Sequence, residues 1–303
     1  MRIGACIMCL LLLAGGCRRQ QPAPRPDATG REQEVSLRDQ AGRLVALPQR
    51  PQRIVSLAPS TTETLFALGV GDRVAGVTAV CNYPPEAQRR VKVGDFRLNV
   101  ERIISLDPDL VVAVADLQSS VIEALDRAGA PLLVIDPYSF DDLYAAIRLL
   151  GNATGAQRRA EGLVTEMREA RRRIRGAAAR VPEQQKPKVF IEIGDRPLRT
   201  AGPNTFVSQI VEDAGGRNIA SDVRGDWGTF SHEAVIARNP EVIITTIPGD
   251  VDGILHREGW EAVSAVRTRR VHAVNPDIVV RPGPRLKEGL EAVFELLRPQ
   301  DGG

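Results

Sequence analysis

The chain has 303 residues with 40 basic and 38 acidic side chains, which leaves a formal net charge of +2. A balance this close to neutral gives no broad basic surface, so we expect no nucleic-acid partner. The length supports two domains of roughly 100 to 150 residues, each large enough to bury an ordinary hydrophobic core.

The amino terminus carries the pattern of an exported protein. Met1 and Arg2 precede an apolar stretch, residues 3–13, that is too short to span a bilayer. Small residues and then Cys17 follow, and this ending resembles a bacterial lipoprotein signal, in which Cys17 is acylated and becomes the first residue. An ordinary secretory signal with an incidental cysteine is the alternative. We expect a membrane-anchored lipoprotein in the periplasm or at the cell surface.

Cysteine usage agrees with export. Cys6 and Cys9 lie within the signal, so Cys81 is the one thiol left in the folded body, and no internal disulfide is expected. The residues after the signal are polar and rich in proline, glutamine and arginine, which predicts a disordered tether. We assign residues 1–17 to the signal and residues 18–50 to a flexible tether and the segment that leads into the body.

Strands and helices alternate through the first half of the body. Consecutive Val, Ile and Leu predict strands, and apolar residues spaced by three or four predict helices between them. The strands are expected at 53–57, 74–77, 110–114 and 132–135, and the helices after Ser60 and at 119–128 and 140–150. Ser60 with Glu63 forms a capping-box pattern for the first helix. This alternation predicts parallel βαβ units.

A long helical stretch, residues 156–179, then links the two halves. Arginines crowd this stretch at positions 168, 171, 172, 173 and 175, with glutamates at 161, 166 and 169 between them. Charge of both signs on one helix is typical of a solvated face. Binding of an anionic lipid or nucleic acid is the less favoured interpretation.

The second half repeats the scheme of the first. Strands are expected at 189–193, 242–247 and 271–274, and helices at 205–214, from Glu233 onward and at 284–297. The predicted fold is therefore two α/β lobes joined by a long rigid helix. We place the first lobe at 51–152, the linking helix at 153–184 and the second lobe at 185–303.

A short pattern occurs once in each half. Glu101 and Glu233 each begin a short amphipathic helix, Pro108 and Pro240 end it at the same offset, and an acidic residue and a β-branched run follow. The repeat indicates two similar lobes. Two lobes leave a cleft between them, which is a common place for a ligand.

The histidines do not support an enzyme. His232, His256 and His272 are the only imidazoles, and none lies near a nucleophile motif or has the paired spacing of a zinc site. We therefore expect no catalytic residue and no metal site.

From about residue 53 to 297 the chain resembles the periplasmic binding proteins that feed ABC importers for cobalamin, haem and ferric siderophores. The resemblance is carried by 53–60 with Glu63, 83–85, 93–96, 99–103, 108–111, Trp227 before 231–233, and 281–285. Tyr-Pro-Pro at 83–85, the tryptophan and the closing arginine segment are most similar to the cobalamin-binding members. The resemblance implies the class III fold of that family, and a transported corrinoid ligand in place of a resident cofactor.

The resemblance also implies which residues bind the ligand. Tyr83, Phe96 and Trp227 match positions that line the cleft, and a large flat ligand needs such aromatic surfaces. Asp277 and Arg281 match polar contacts to the ligand's edge, with a mutual surface ion pair as the alternative.

Ser60 is a further candidate, because the start of its helix would point backbone donors toward the cleft. A capping role alone would also explain this serine. The aromatic enclosure is thinner than in the cobalamin pattern, since Phe96 stands where tryptophan is frequent. Haem or a ferric siderophore therefore stays as the alternative ligand, and a ligand-sensing lipoprotein as an alternative function.

Glu101 and Glu233 match glutamates that, in this family, meet arginines on the importer's membrane subunits. One glutamate per lobe would let the transporter register both lobes, and charge pairs of this kind orient docking. A helix-start glutamate favoured by the helix dipole is the alternative. The expected partners are the corrinoid, the importer and the membrane, and we expect a monomer. Closure of the lobes should be small, because a helix lacks a hinge.

Overall fold

The computed structural model describes residues 34–95, 97–115 and 118–298. The strands of this part are β1 (Glu34–Arg38), β2 (Leu44–Pro48), β3 (Ile54–Ser56), β4 (Val74–Val77), β5 (Val91–Lys92), β6 (Leu110–Val114), β7 (Leu132–Ile135), β8 (Lys188–Asp195), β9 (Leu198–Ala201), β10 (Arg217–Asn218), β11 (Trp227–Thr229), β12 (Val242–Thr245) and β13 (Val271–Ala273). The helices are α1 (Pro59–Ala67), α2 (Val100–Ile104), α3 (Ser119–Arg127), α4 (Phe140–Thr154), α5 (Gln157–Ala178), α6 (Phe206–Asp213), α7 (His232–Arg238), α8 (Val251–Leu255), α9 (Ser264–Arg267), α10 (Pro276–Val279) and α11 (Leu286–Leu297).

The first lobe is built on a five-stranded parallel sheet in the order β5-β4-β3-β6-β7. The central strands β3 and β6 are buried along their whole length. A strand covered on both faces needs apolar residues on both, which is why these segments are continuous apolar runs without alternation. The four strands predicted for this half are present, as are the helices that follow β6 and β7.

The first helix begins in a different way from the prediction. Its N-cap is Ala58, Pro59 occupies the first turn, and no side chain caps it. Ser60 thus lies inside the first turn, and the Glu63 carboxylate pairs with Arg281 and Arg285. The predicted capping box is wrong because proline, with its fixed φ, is well suited to start the helix earlier.

The second lobe is built on a six-stranded sheet. Its order is β11-β9-β8-β12-β13, and β10 also pairs with β8. The predicted strands appear as β8, β12 and β13, which run parallel to one another. The antiparallel edge formed by β9 and β11 was not predicted from the sequence. Both strands are short, so their alternation is too brief to give a signal.

The linking helix is confirmed as α5, and it forms an antiparallel hairpin with α4 that turns at Gly155 in the left-handed region, with φ of 73°. One continuous hydrophobic core runs from the first sheet through α4 and α5 to α6 and α11. Phe140 and Phe206, one from each half, meet edge to face with ring centroids 5.9 Å apart. The lobes are therefore joined by packed side chains as well as by the helix.

The hairpin β1–β2 precedes the first lobe and has no counterpart among the predicted elements. Leu47 is buried and Leu37 packs against the same core. The Asp39 carboxylate accepts hydrogen bonds from the backbone N–H groups of Arg43 and Val134, which fixes the hairpin to β7. Among the described residues, no helix combines the length and the apolarity needed to cross a bilayer.

Candidate functional site: the cleft and the lobe tips

A cavity of about 790 Å³ lies between the two lobes. In the first lobe its lining residues follow the carboxyl ends of parallel strands: Leu57 and Ser60 after β3, Val80 after β4, Gln118 after β6 and Tyr138 after β7. The second lobe contributes Asn204, Phe206, Trp227, Val280 and Arg281, among others. Ligands of parallel α/β sheets bind beyond the carboxyl ends of the strands, so the cavity occupies the position that this topology favours.

Among the described residues, three aromatic side chains line this cavity, Tyr138 from the first lobe and Phe206 and Trp227 from the second. Trp227 begins β11 and is 39% exposed, Tyr138 follows β7 and is 43% exposed, and Phe206 is buried. The other lining residues are aliphatic, such as Leu57, Val114 and Val280, or polar. Aromatic and aliphatic surfaces on both sides of a cleft suit a ligand with a broad apolar face.

The predicted site residues divide into two groups. Ser60, Trp227 and Arg281 line the cavity. Tyr83 and Asp277 are not among its lining residues. Tyr83 is partly exposed, with the Arg285 guanidinium 4.1 Å from the centroid of its ring. Phe96, a further predicted site residue, lies outside the described residues.

Arg281 connects the two lobes at the edge of the cavity. Its Nη1 donates to Asn82 Oδ1 at 2.7 Å and to Glu63 Oε1 at 3.2 Å, and both acceptors belong to the first lobe. Its Nη2 lies 2.7 Å from Asp277 Oδ1, and Asn82 Nδ2 donates to Asp277 Oδ2 at 2.9 Å. Arg281 thus makes the ion pair with Asp277 and also lines the cavity. A guanidinium has more N–H donors than these contacts use, so donors stay available for a ligand.

Glu63 is the buried anion of this network. Its side chain is 1% exposed, Arg285 Nη1 lies 3.5 Å from Oε1, and Oε2 has no hydrogen-bond partner within the described residues. Burial raises the pKa of Glu63, although the guanidiniums of Arg281 and Arg285 act in the opposite direction. The carboxylate therefore holds two arginines of the second lobe against the first.

Most lining residues of the first lobe were not predicted from the sequence, and Gln118 and Tyr138 are two of them. Gln118 accepts a hydrogen bond from the Val114 backbone N–H at 3.0 Å and donates to the Leu57 carbonyl, so it joins the ends of β3 and β6. Tyr138 follows Asp136 and Pro137 directly after a predicted strand. The available signal was position: both residues come after strands whose carboxyl ends meet at one edge.

The charged lining of the cavity is mixed. Asp95, Asp136 and Asp226 contribute carboxylates, and Arg97 and Arg281 contribute guanidiniums. Among the lining residues that the structure describes, acidic side chains therefore outnumber basic ones. No group of three or more His, Cys, Asp or Glu side chains that could hold a metal ion occurs within the ranges described above.

The repeated pattern forms the same local structure in both lobes. Glu101 and Glu233 are exposed and occupy equivalent positions in the first turns of α2 and α7. The N-cap side chains of Asn99 and Ser231 each accept a backbone N–H three residues later. A hydrogen bond from its own backbone N–H and one from Ser231 lower the pKa of Glu233, so it is ionised at neutral pH.

The acidic residue after each proline has a structural role that the sequence did not indicate. The Asp109 carboxylate accepts the backbone N–H of Arg53, and the Glu241 carboxylate accepts that of Lys188. Each therefore ties the end of its helix to the start of the neighbouring strand. Asp107 and Asn239, the residues that precede the two prolines, lie in the left-handed region with φ of 48° and 47°. The duplication thus extends to individual hydrogen bonds.

With this geometry established, the chain was compared with known proteins. Its sequence matches the periplasmic binding protein family over residues 54–278. The chain belongs to that family. It is 35% identical to the uncharacterized ABC transporter substrate-binding lipoprotein YvrC of Bacillus subtilis, over 98% of this chain and 96% of that protein. It is also 36% identical to the vitamin B12-binding protein of Pectobacterium carotovorum, over 78% of this chain and 84% of that protein.

A solved structure agrees with the family assignment. The periplasmic heme-binding protein RhuT from Roseiflexus superposes on this chain with a TM-score of 0.72 and 31% sequence identity. The match covers 82% of this chain and 99% of that chain. The predicted class III fold is confirmed. As a family member, the chain is a substrate-binding protein of an ABC transporter and not an enzyme. The protein acts outside the cytoplasm and interacts with the permease subunits of the transporter in the membrane. Its ligand is transported and is not a resident cofactor.

Proposed function

We propose that this protein captures cobalamin or a related corrinoid in the cleft and delivers it to an ABC importer. The observation that carries the proposal is the cavity itself. Tyr138 and Trp227 line it from opposite lobes together with aliphatic side chains, and Arg281 supplies polar contacts at the edge. A corrin ring has broad apolar faces and an amide fringe, which such a wall complements. The similarity to a vitamin B12-binding protein supports the same ligand.

Charge favours a corrinoid over an anionic chelate. Three aspartates and two arginines line the cavity, whereas binding of an anionic siderophore is expected to need an excess of basic groups. Haem is the second candidate for two reasons. The similar RhuT structure is a heme-binding protein, and Tyr138 offers a phenol, which is a known ligand of haem iron.

Titration of the purified protein with cyanocobalamin, cobinamide, haemin and a ferric siderophore tests the ligand. We expect submicromolar calorimetric binding of the corrinoids and quenching of tryptophan fluorescence. The chain offers a matched control, because Trp260 is fully buried in the second lobe. Trp227→Phe should remove most of the quenching, and Trp260→Phe should retain it. Tight binding of haemin with no binding of either corrinoid would replace the corrinoid by haem.

We also place the importer contact at the two lobe tips. Glu101 and Glu233 are presented in matched helices, and exposed isoleucines, Ile104 and Ile236, lie one turn further along each helix. Residues three apart share a helix face, so each tip combines a carboxylate with an apolar side chain. The carboxylates would steer docking, and burial of the isoleucines would strengthen it.

Reconstituted vesicles with the cognate importer test this contact. Glu101→Ala with Glu233→Ala should leave ligand affinity intact and abolish stimulation of the importer's ATPase. Glu123→Ala with Glu258→Ala removes the same charge from exposed positions, one in each lobe, and should preserve stimulation. Unchanged transport by the Glu101→Ala, Glu233→Ala double variant would contradict the docking assignment.

The proposed organisation completes this function. Residues 1–17 are the lipoprotein signal, with acylation at Cys17, and 18–50 are the tether and the segment leading into the body. The first lobe is 51–152, the linking helix 153–184 and the second lobe 185–303, and the protein acts as a monomer. Cys17 lies outside the described residues, and the similarity to a lipoprotein supports its role. Cys17→Ser should move the protein from the membrane fraction to the soluble fraction.

A further inference from the structure

The arginine-rich face of α5 forms a wall of a second concave site. The residues lining it are Asp141 and Tyr144 of α4 and Arg168, Arg171, Arg172, Arg175 and Gly176 of α5. The four arginines are spaced by three or four positions, which places them on one face of the helix. They border an open groove of about 590 Å³ that has no lining residue in common with the cleft, as far as the described residues show.

Two of the three glutamates of α5 pair with residues outside the groove. Glu161 pairs with Arg148 at 2.7 Å, and Glu166 pairs with Lys287 at 3.6 Å. The third, Glu169, is exposed and does not line the groove. The groove side of the helix therefore differs from the mixed, solvated face that the sequence predicted.

Two other carboxylates approach the arginines. Asp213 lies 2.5 Å from Arg171 Nε and 3.3 Å from Arg175 Nε, and Asp141 lies 3.9 Å from Arg168. Arg172 forms no ion pair with any described residue. Four guanidiniums therefore outnumber two carboxylates, and the groove is positively charged.

Three of the four guanidiniums, those of Arg168, Arg171 and Arg175, have contacts that hold them before any ligand binds. The Arg168 guanidinium lies 4.9 Å from the Tyr144 ring centroid, and that of Arg171 lies 4.4 Å from the Phe140 ring centroid. These cation–π contacts and the shared Asp213 restrict the arginine rotamers. Side chains fixed in this way lose less entropy when a ligand binds.

The Tyr144 hydroxyl lacks a hydrogen-bond acceptor at this site. Tyr144 is fully buried, no described residue accepts a hydrogen bond from its hydroxyl, and the neighbouring Arg171 guanidinium can act only as a donor to it. Burial raises the pKa of Tyr144, so the hydroxyl keeps its proton. Because neighbouring guanidiniums can only donate hydrogen bonds, the group that the O–H lacks is an acceptor. A tetrahedral oxyanion would accept from the hydroxyl and the guanidiniums together.

We propose that the groove between α4 and α5 binds a phosphate group, either as a free phosphate or as a phospholipid headgroup. Phosphate oxygens match the paired donors of Arg168 and Arg172 and satisfy the Tyr144 hydroxyl. The site is independent of the cleft and of its ligand. It gives the protein a second binding surface on its linking helix.

Calorimetry of the purified protein with inorganic phosphate and glycerol 3-phosphate at low ionic strength tests the site. Co-sedimentation with phosphatidylglycerol vesicles, against phosphatidylcholine vesicles, tests the headgroup source. Arg168→Gln with Arg172→Gln should raise the Kd by about tenfold or more. Arg158→Gln with Arg173→Gln removes the same charge from the same helix outside the groove, and should change the Kd by less than about twofold.

The outcomes separate the two sources. Saturable binding of inorganic phosphate supports a free phosphate, and binding only to phosphatidylglycerol vesicles supports a headgroup. Equal losses in both double variants would show nonspecific charge attraction and overturn the proposal, as would the absence of binding to every probe.

Tyr144→Phe gives a second readout that a purely structural role would not produce. Since no described residue accepts a hydrogen bond from this buried hydroxyl, its removal should leave the free energy of unfolding unchanged or higher in phosphate-free buffer. The same change should weaken phosphate binding roughly two- to tenfold. A variant that is less stable but binds phosphate as before would contradict the role of the hydroxyl.

Discussion

Glu63 is the residue at which the two lobes are joined electrostatically. Its buried carboxylate lies 3.2 Å from Arg281 and 3.5 Å from Arg285, and both arginines belong to the second lobe. Removing one member of a buried ion-pair network leaves the charges of its partners buried and uncompensated. Glu63 therefore acts on the ligand site through Arg281, and it is a positioning residue.

Glu63→Ala should lower the free energy of unfolding by about 3–5 kcal/mol, because two guanidiniums lose their buried partner. Glu288→Ala is the matched control, since Glu288 also approaches Arg285 at 3.5 Å but is half exposed. Its loss should be less than about 1 kcal/mol. Urea unfolding followed by circular dichroism measures both values, and equal losses would argue against the buried network.

The raised pKa of Glu63 predicts a pH dependence of stability. Above the ordinary value of 4.5 the unfolded chain releases a proton that the folded protein still holds. The contribution of Glu63 to stability therefore falls as the pH rises from 4.5 through the raised folded pKa. Urea midpoints across this window, compared with those of Glu63→Gln, should show the parent losing stability relative to the variant. A relative gain would reverse the assigned direction of the shift.

At the scale of elements, the α4–α5 hairpin depends on a close approach of two helices. A Cβ atom on Gly151 would lie 2.5 Å from the Ala160 Cβ, so only glycine lets the helices pack at this distance. Gly162, on the exposed face of α5, has open space around it. Glycine is therefore required for helix packing at position 151, whereas at position 162 it only adds backbone freedom.

Two glycine-to-alanine changes should have opposite effects on the free energy of unfolding. Gly162→Ala should raise it by about 0.5–1 kcal/mol, because alanine is the better helix former. Gly151→Ala should lower it by about 1–3 kcal/mol, because the added methyl group overpacks the hairpin. Urea denaturation of both variants checks the signs, and a shift in the same direction would refute this account of the hairpin.

The elements predicted correctly are those with a strong local signal. β3, β6 and β12 are buried at every position and give continuous apolar runs, and α5 gives an extended helical pattern. The hairpin β1–β2 was missed, as was the β9–β11 edge. Those strands contain exposed residues and belong to antiparallel pairs, where pairing partners decide the structure more than composition does.

At the scale of the whole molecule, the shared core limits relative motion of the lobes. The hydrophobic cluster continues from the first sheet through α5 to the second lobe, and the Glu63–Arg281 contact crosses the cleft. A hinge needs a few residues that absorb large backbone changes, and the continuous helix α5 does not supply them. The prediction of small closure therefore stands and can be measured.

Spin labels at Glu101→Cys and Glu233→Cys report the distance between the first turns of α2 and α7, one in each lobe. The native Cys81 is buried and should not react. Pulsed dipolar spectroscopy measures the distribution of distances between the two labels. Adding saturating ligand should shift the mean distance by less than the width of that distribution. A separate, shorter population that appears only with ligand would indicate a large closure.

The amino-acid sequence by itself determined the central parallel strands of the two lobes, the linking helix, the duplicated pattern and the family. These properties follow from local periodicity and from short motifs, which act within a few residues. It also indicated Trp227, Arg281 and Ser60 as cavity residues.

Only the tertiary structure decided which distant side chains meet. It brought Tyr138 and Gln118 to the cleft, and it paired Glu63 with Arg281 across 218 positions of the chain. It also paired Glu161 and Glu166 of α5 with Arg148 and Lys287, which lie outside the arginine groove. The physical reason is that ion pairs and cavities depend on the packing of remote segments, which no local pattern encodes.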